Sequence, residues 1–123
     1  MYILVSLGKI SIKNEERREY GNMWYPRQGQ IIKALLVELY KAGGVAKPKE
    51  IYGKVATHFP ELSEAALYYK VYGSTYKWQN RVRCAKQDLV QKGAIDNSIK
   101  GVWILTSEGQ KKALELLHMR KAT

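Results

Sequence analysis

Apolar positions recur along the chain with two periods, and the places where the period changes mark the elements. In residues 2–13, "YILVSLGKISIK", Ile10 and Ile12 alternate with Lys9, Ser11 and Lys13 while Gly8 offers a turn, which predicts strand. The stretch "NEERREYGN" that follows is charged and closes on turn residues, the composition of a surface connector. From Gln28 the period becomes helical. Ile31, Leu35 and Leu39 lie on one line with Ile32 and Leu36 beside it, and Gly43 and Gly44 close the run. "VAK" then reads as a brief strand. Pro48 opens a second helix at a position that needs no amide proton, Glu50 suits the positive end of its dipole, and Ile51, Val55 and Phe59 point inward until Pro60.

Ser63 can cap a short helix through about Tyr69, after which Gly73, Ser74 and Thr75 form a turn and start the third main helix, Tyr76 to Lys92. Trp78, Val82, Ala85 and Leu89 give that helix one apolar stripe, and Gly93 ends it. Two extended runs follow, "AIDN" and "VWILT", joined through "SIKG", where Asn97 and Gly101 suit a tight hairpin connection. A last helix begins near Thr106 or Ser107, with Ala113, Leu114 and Leu117 as its expected inner face. The order predicts a mainly α fold with a small β-hairpin (α+β). It is a winged helix-turn-helix with an inserted short helix and a C-terminal helix. The expected divisions are an N-terminal extension over 1–27, the winged-helix domain over 28–119 and a basic tail over 120–123.

Charge changes the picture more than composition does. Twenty-one Lys and Arg against eleven Asp and Glu leave a net +10, which favours polyanionic partners such as nucleic acid. Residues 70 to 103 hold seven basic and two acidic side chains, so this third of the chain carries half of the surplus. Cys84 is the single cysteine, which excludes an internal disulfide and a cysteine-based zinc site within one chain and fits a reducing, cytoplasmic setting. The apolar start "MYILVSLGKISI" is too short to span a bilayer and lacks the basic start and cleavage site of a signal peptide, so no membrane association is expected.

With the apolar stripe of the third helix turned inward, Lys77, Asn80, Cys84, Gln87 and Gln91 come out on the opposite side, flanked by Arg81 and Arg83. Amides can pair with adenine and Arg with guanine, while Lys meets phosphate as a point charge. Ser74 and Thr75 at the expected helix start offer hydroxyls to a phosphate. Lys100 beside Ser98 sits on the hairpin turn, either as a wing contact to DNA or as an ordinary turn lysine. Asn80 either reads a base or bonds back to Ser74 or Thr75. The aromatic run Tyr68, Tyr69, Tyr72 and Tyr76 can stack on bases, though packing of the inserted helix explains it more simply.

The acidic residues include no Glu-x-Lys or Asp-x-Lys pair of the kind that sets a metal-binding carboxylate beside a lysine. His58 and His118 fall at the ends of different helices without clustered carboxylates, so each reads as a helix-end or surface residue, and no metal, cofactor or catalytic residue is expected.

Three stretches, "GGVAKPKEIYGKVA", "WQNRVRCAKQDLVQKGAI" and "KGVWILTSEG", together resemble the N-terminal winged-helix domain of Mrr-type restriction proteins over about residues 28 to 112. The resemblance implies a domain that binds double-stranded DNA and delivers a restriction nuclease, in many relatives to modified DNA. Asn80, Arg81 and Arg83 match the Asn-Arg-x-Arg element of that pattern, Lys100 and Gly101 its wing tip, and Trp103 the strand after it. Cys84 stands where the family pattern has an aromatic. No nuclease domain follows Thr123, so a separated domain served by a partner nuclease domain or subunit, or a stand-alone relative, is expected. Two other uses of the same surface stay open: a transcriptional regulator, which would be a homodimer on a palindromic site, and a protein-protein interaction module.

Overall fold

The computed structural model of the chain describes residues 23–122. The expected strand over 2–13 and the charged connector after it lie outside the described residues.

Helix α1, Gln28–Lys41, is the element around which the others pack. Ile31, Ala34, Leu35, Leu36, Val37 and Leu39 are all buried, because α1 is covered from several sides rather than along one stripe. It ends where Gly44, at a φ of 94°, turns its amide back to the Leu39 carbonyl (2.8 Å) and accepts from the Leu105 amide (2.7 Å). That left-handed conformation suits glycine, and it couples the helix end to the sheet.

Strand β1, Val45–Ala46, leads into α2, Pro48–Ala56, whose Ile51 and Val55 are buried as the spacing predicts. Helix α3, Glu64–Tyr68, is capped by the Ser63 hydroxyl, which accepts from the Ala66 amide at 3.0 Å. The segment between α3 and the third main helix differs from the expected turn. It forms a hairpin of β2, Lys70–Val71, and β3, Thr75–Tyr76, in which Val71 pairs with Thr75 and Lys70 with Tyr76. Tyr72 at a φ of 52° and Gly73 at 85° make the reversal. Ser74 and Thr75 therefore belong to this hairpin, and α4, Lys77–Gln91, starts one residue after it with no side-chain cap. The β-branched Val71 and Thr75 on either side of a glycine favour pairing over a simple helix start.

Strand β4, Ile95–Asp96, and β5, Trp103–Leu105, pair antiparallel with Ile95 opposite Leu105, and β5 also pairs with β1 to give the order β1-β5-β4. The connection spans residues 97–102, longer than a tight turn. Helix α5, Ser107–Ala122, is capped by Thr106, whose hydroxyl donates to the Gly93 carbonyl at 2.6 Å and accepts from the Gly109 amide at 3.1 Å. Gly109 is buried against Ala94, and a Cβ there would stand 2.2 Å from the Ala94 carbonyl oxygen. That close approach sets how α5 sits, so its inner face is Gly109, Ala113 and Leu116, whereas Leu114, expected inside, is 41% exposed.

The described elements have the arrangement of a winged helix-turn-helix. Helices α2 and α4 form the helical pair, β1, β4 and β5 the winged sheet, and α3 with the β2-β3 hairpin the insertion. Among the described residues no helix is long and apolar enough to cross a membrane.

Candidate nucleic-acid interface

Burial of Trp78, Val82, Ala85 and Leu89 fixes the rotation of α4. Trp78 reinforces it, since its indole N–H donates to the Tyr52 carbonyl at 2.9 Å and ties α4 to α2. The opposite side then carries Asn80, half-buried, and Cys84, Gln87 and Gln91, all exposed. The Asn80 amide makes no hydrogen bond to Ser74 or Thr75 among the described residues.

The cations of this region are held in different ways. Lys77 and Arg81 share one aromatic ring: the Lys77 ammonium lies 4.9 Å and the Arg81 guanidinium 5.3 Å from the centroid of Tyr25. Arg81 also donates through Nη2 to the Pro26 carbonyl at 3.0 Å, and its buried Nε has no partner among the described residues. Burial pushes the Tyr25 phenol above its ordinary range, opposed by the nearby Arg81 charge, and the phenol donates to the Ala66 carbonyl at 2.6 Å. Arg83 donates to the Tyr52 hydroxyl at 3.3 Å, Lys86 lies 5.7 Å from the Trp103 ring, and Lys92 pairs with Asp88 at 3.0 Å. Lys77 and Arg81 are thus positioned by the aromatic segment that precedes α1, a role that the sequence alone did not assign to "WYP".

On the wing, the Ser98 amide donates to Asp96 Oδ1 at 2.8 Å, an Asx-type turn that shapes the connection. Ser98, through its hydroxyl first and then its amide, holds the exposed Asp96 carboxyl below its ordinary value. Ile99 and Lys100 beyond this turn are exposed. Of the expected site residues, Lys77, Asn80, Arg81, Arg83, Cys84 and Gln87 share α4, Ser98 and Lys100 share the wing after it, and Ser74 and Thr75 share the hairpin before it. Helix α4 therefore carries one hairpin at each end.

His58 differs from the expected helix-end or surface residue. Its Nε2 lies 2.6 Å from Oε2 of Glu38, a carboxylate only 8% exposed on α1, so the pair fastens the end of α2 to the core. Lys41 approaches the same oxygen at 3.7 Å. His118 is exposed on α5. Among the described residues no group of three or more His, Cys, Asp or Glu is placed to hold a metal ion.

The family described as Mrr N-terminal domain matches residues 29–115, from the first turn of α1 into α5. Comparison with curated proteins and with solved structures finds no match.

Proposed function

Given that the chain belongs to the Mrr N-terminal domain family, and so to the domains associated with restriction systems, we propose that it binds double-stranded DNA as a target-recognition domain. In this reading α4 enters the major groove with Asn80, Cys84 and Gln87 toward base edges, while Lys77 and Lys100 lean on phosphates on either side. Ser74 and Thr75 on one hairpin and Ser98 on the other add neutral phosphate contacts. Catalysis comes from a nuclease domain or subunit, and the chain supplies the address.

The observation that carries the reading is the division of α4. Its inner stripe is wholly buried, and the opposite side presents amides between flanking cations, a surface that suits a groove lined by base edges and bordered by phosphates. The test is a titration of duplexes across a salt series, because DNA binding releases counterions in proportion to the phosphates contacted. Lys77→Ala and Lys100→Ala should each lower the salt slope by about 1 and weaken all sequences alike. A slope that neither variant changes would place the interface elsewhere. Matched duplexes with and without methylated adenine or cytosine then report whether modification is what the helix reads.

A further inference from the structure

A cavity of about 610 Å³ opens between the outer face of α2, helix α3 and the first turn of α4. Ligand sites occupy about 300–1,000 Å³, so a small molecule fits. Its walls are aromatic: Tyr52 and Phe59 from the α2 side, Tyr68 and Tyr76 from the insertion, and Trp78 from α4. These rings meet edge to face, Phe59 with Trp78 and Tyr68 with Tyr76, each pair with centroids 6.2 Å apart. Of these rings Tyr68, 65% exposed, is the most open to a flat guest, whereas Trp78 is buried.

The polar groups choose among flat guests. Lys49 lines the cavity, the Lys70 ammonium lies 5.1 Å from the Tyr76 ring, and no carboxylate is among the lining residues. A cationic guest would meet the Lys49 ammonium with no carboxylate among the lining residues to balance it, so the aromatic walls do not serve as an ammonium cage. Gln79 adds an amide that both donates and accepts, the pattern that matches the edge of a base. We infer that this cavity holds a nucleobase, flat against the aromatic rings, with its edge toward Gln79 and its phosphate beside Lys49.

The inference deepens the duplex-binding reading and rests on it for one source of the base. The cavity is lined by Trp78 and Gln79 of the first turn of α4, the turn that also carries Lys77 and Asn80 of the face assigned to DNA. A base turned out of the stack, most easily one that is mispaired or unpaired, would reach it from there. A free nucleotide has the same chemistry and is the other source.

Two measurements separate the sources. Adenosine 5′-monophosphate is titrated into the protein while the Trp78 indole and Gln79 amide resonances are followed. Saturable shifts of both are expected, with binding weakened about 5- to 100-fold in Tyr68→Ala, the loss of one stacking partner, and also weakened in Lys49→Ala. Tyr68 is 65% exposed, so its removal should leave the melting temperature unchanged. In parallel, the affinity for a duplex with an adenine opposite an abasic position is divided by that for the paired duplex. A ratio well above 1 that falls to 1 in Tyr68→Ala assigns the base to DNA. Nucleotide shifts with a ratio of 1 assign a free nucleotide and still support the cavity's role. No nucleotide shifts together with a ratio of 1 overturn the inference, and a retained salt slope on paired duplex would then leave the proposed function standing.

Discussion

The two sides of α4 solve opposite problems with the same helix. The inner side is committed: Trp78, Val82, Ala85 and Leu89 are buried, Trp78 is bonded to the α2 backbone, and Arg81 at its border is strapped to Pro26 and Tyr25. On the outer side Lys77 rests on the Tyr25 ring at the helix start and Gln87 accepts only from its neighbour Lys86, while Cys84, Gln87 and Gln91 are exposed to solvent. Rigidity on one side is what would let the other present side chains at fixed positions to a groove, since a recognition side chain is only as precise as its backbone. The contrast predicts that substitutions on the inner side act on stability and those on the outer side on binding alone.

The largest effect that would test this division is Trp78→Ala. Truncating a buried aromatic costs about 3–5 kcal/mol, and here the Tyr52 carbonyl also loses its donor. The variant should unfold at far lower denaturant concentration than the parent. A midpoint close to the parent's would mean that α4 does not depend on its inner stripe.

Gln87→Ala is the outer counterpart. Its amide faces solvent, so melting temperature and non-specific affinity should hold while about 1–3 kcal/mol of discrimination is lost at one base pair. A panel of modified and unmodified duplexes reads this out. Asn80→Ala sharpens the comparison, because Asn80 is half-buried whereas Gln87 is exposed. Loss of preference without loss of stability would put Asn80 on the outer side with Gln87, and equal weakening of all duplexes with a lower melting temperature would move it inside.

How far the sequence anticipates this division differs by residue. The stripe of α4, the caps at Ser63 and Thr106, and the strand-helix order follow from local rules that act over a few residues, and the fold class was readable from them. Two departures came from contacts across the chain, and one from a local element too short to read. Leu114 has the spacing of an inner residue, but Gly109 lets α5 rest on Ala94 in a rotation that turns Leu114 outward. His58 reads as a helix end until Glu38, twenty positions earlier, comes within 2.6 Å. The β2-β3 hairpin was hidden because strands of two residues carry almost no periodic signal. In the site, the outer face of α4 follows from its inner one, whereas the tie between Arg81 and Pro26 and the aromatic cavity beside α3 need tertiary placement and had no local signature.

Arg81 tests the border itself. It matches an element of the family pattern, yet its guanidinium is used within the protein, on the Pro26 carbonyl and the Tyr25 ring. Arg81→Met keeps much of the apolar stem and removes the charged bond, and should lower stability by about 1–2 kcal/mol while loosening the segment ahead of α1. Urea unfolding followed by tyrosine and tryptophan emission measures the first, and hydrogen exchange at the Trp24, Tyr25 and Arg27 amides the second. Unchanged stability with loss of preference for one base would show that the strap opens and that Arg81 works on the outer side.

The smallest effect concerns the wing, whose shape depends on an exposed bond rather than on a buried strap. Ser98, first through its hydroxyl and then its amide, holds the Asp96 carboxyl below its ordinary value of 3.8, with burial opposing only weakly. The sign follows from linkage: a carboxylate with a depressed folded-state pKa favours the folded turn above its unfolded-state value and loses that contribution as pH falls through the folded one. The Ser98 turn should therefore be fully formed at neutral pH and loosen only below about pH 4. Because Asp96 is fully exposed, the global melting temperature should not register the change. The Ser98 amide should, with a chemical shift that titrates at acid pH and a faster exchange in Asp96→Ala at neutral pH. In Asp96→Asn the carbonyl can still accept from Ser98, so the turn should survive while its pH dependence disappears. A Ser98 amide shift that is the same at pH 3 and pH 6 would show that the wing is shaped by its sheet register alone. Lys100 would then owe its position to the pairing of Asp96 with Ile104, as firmly as Gln87 owes its own to the inner stripe of α4.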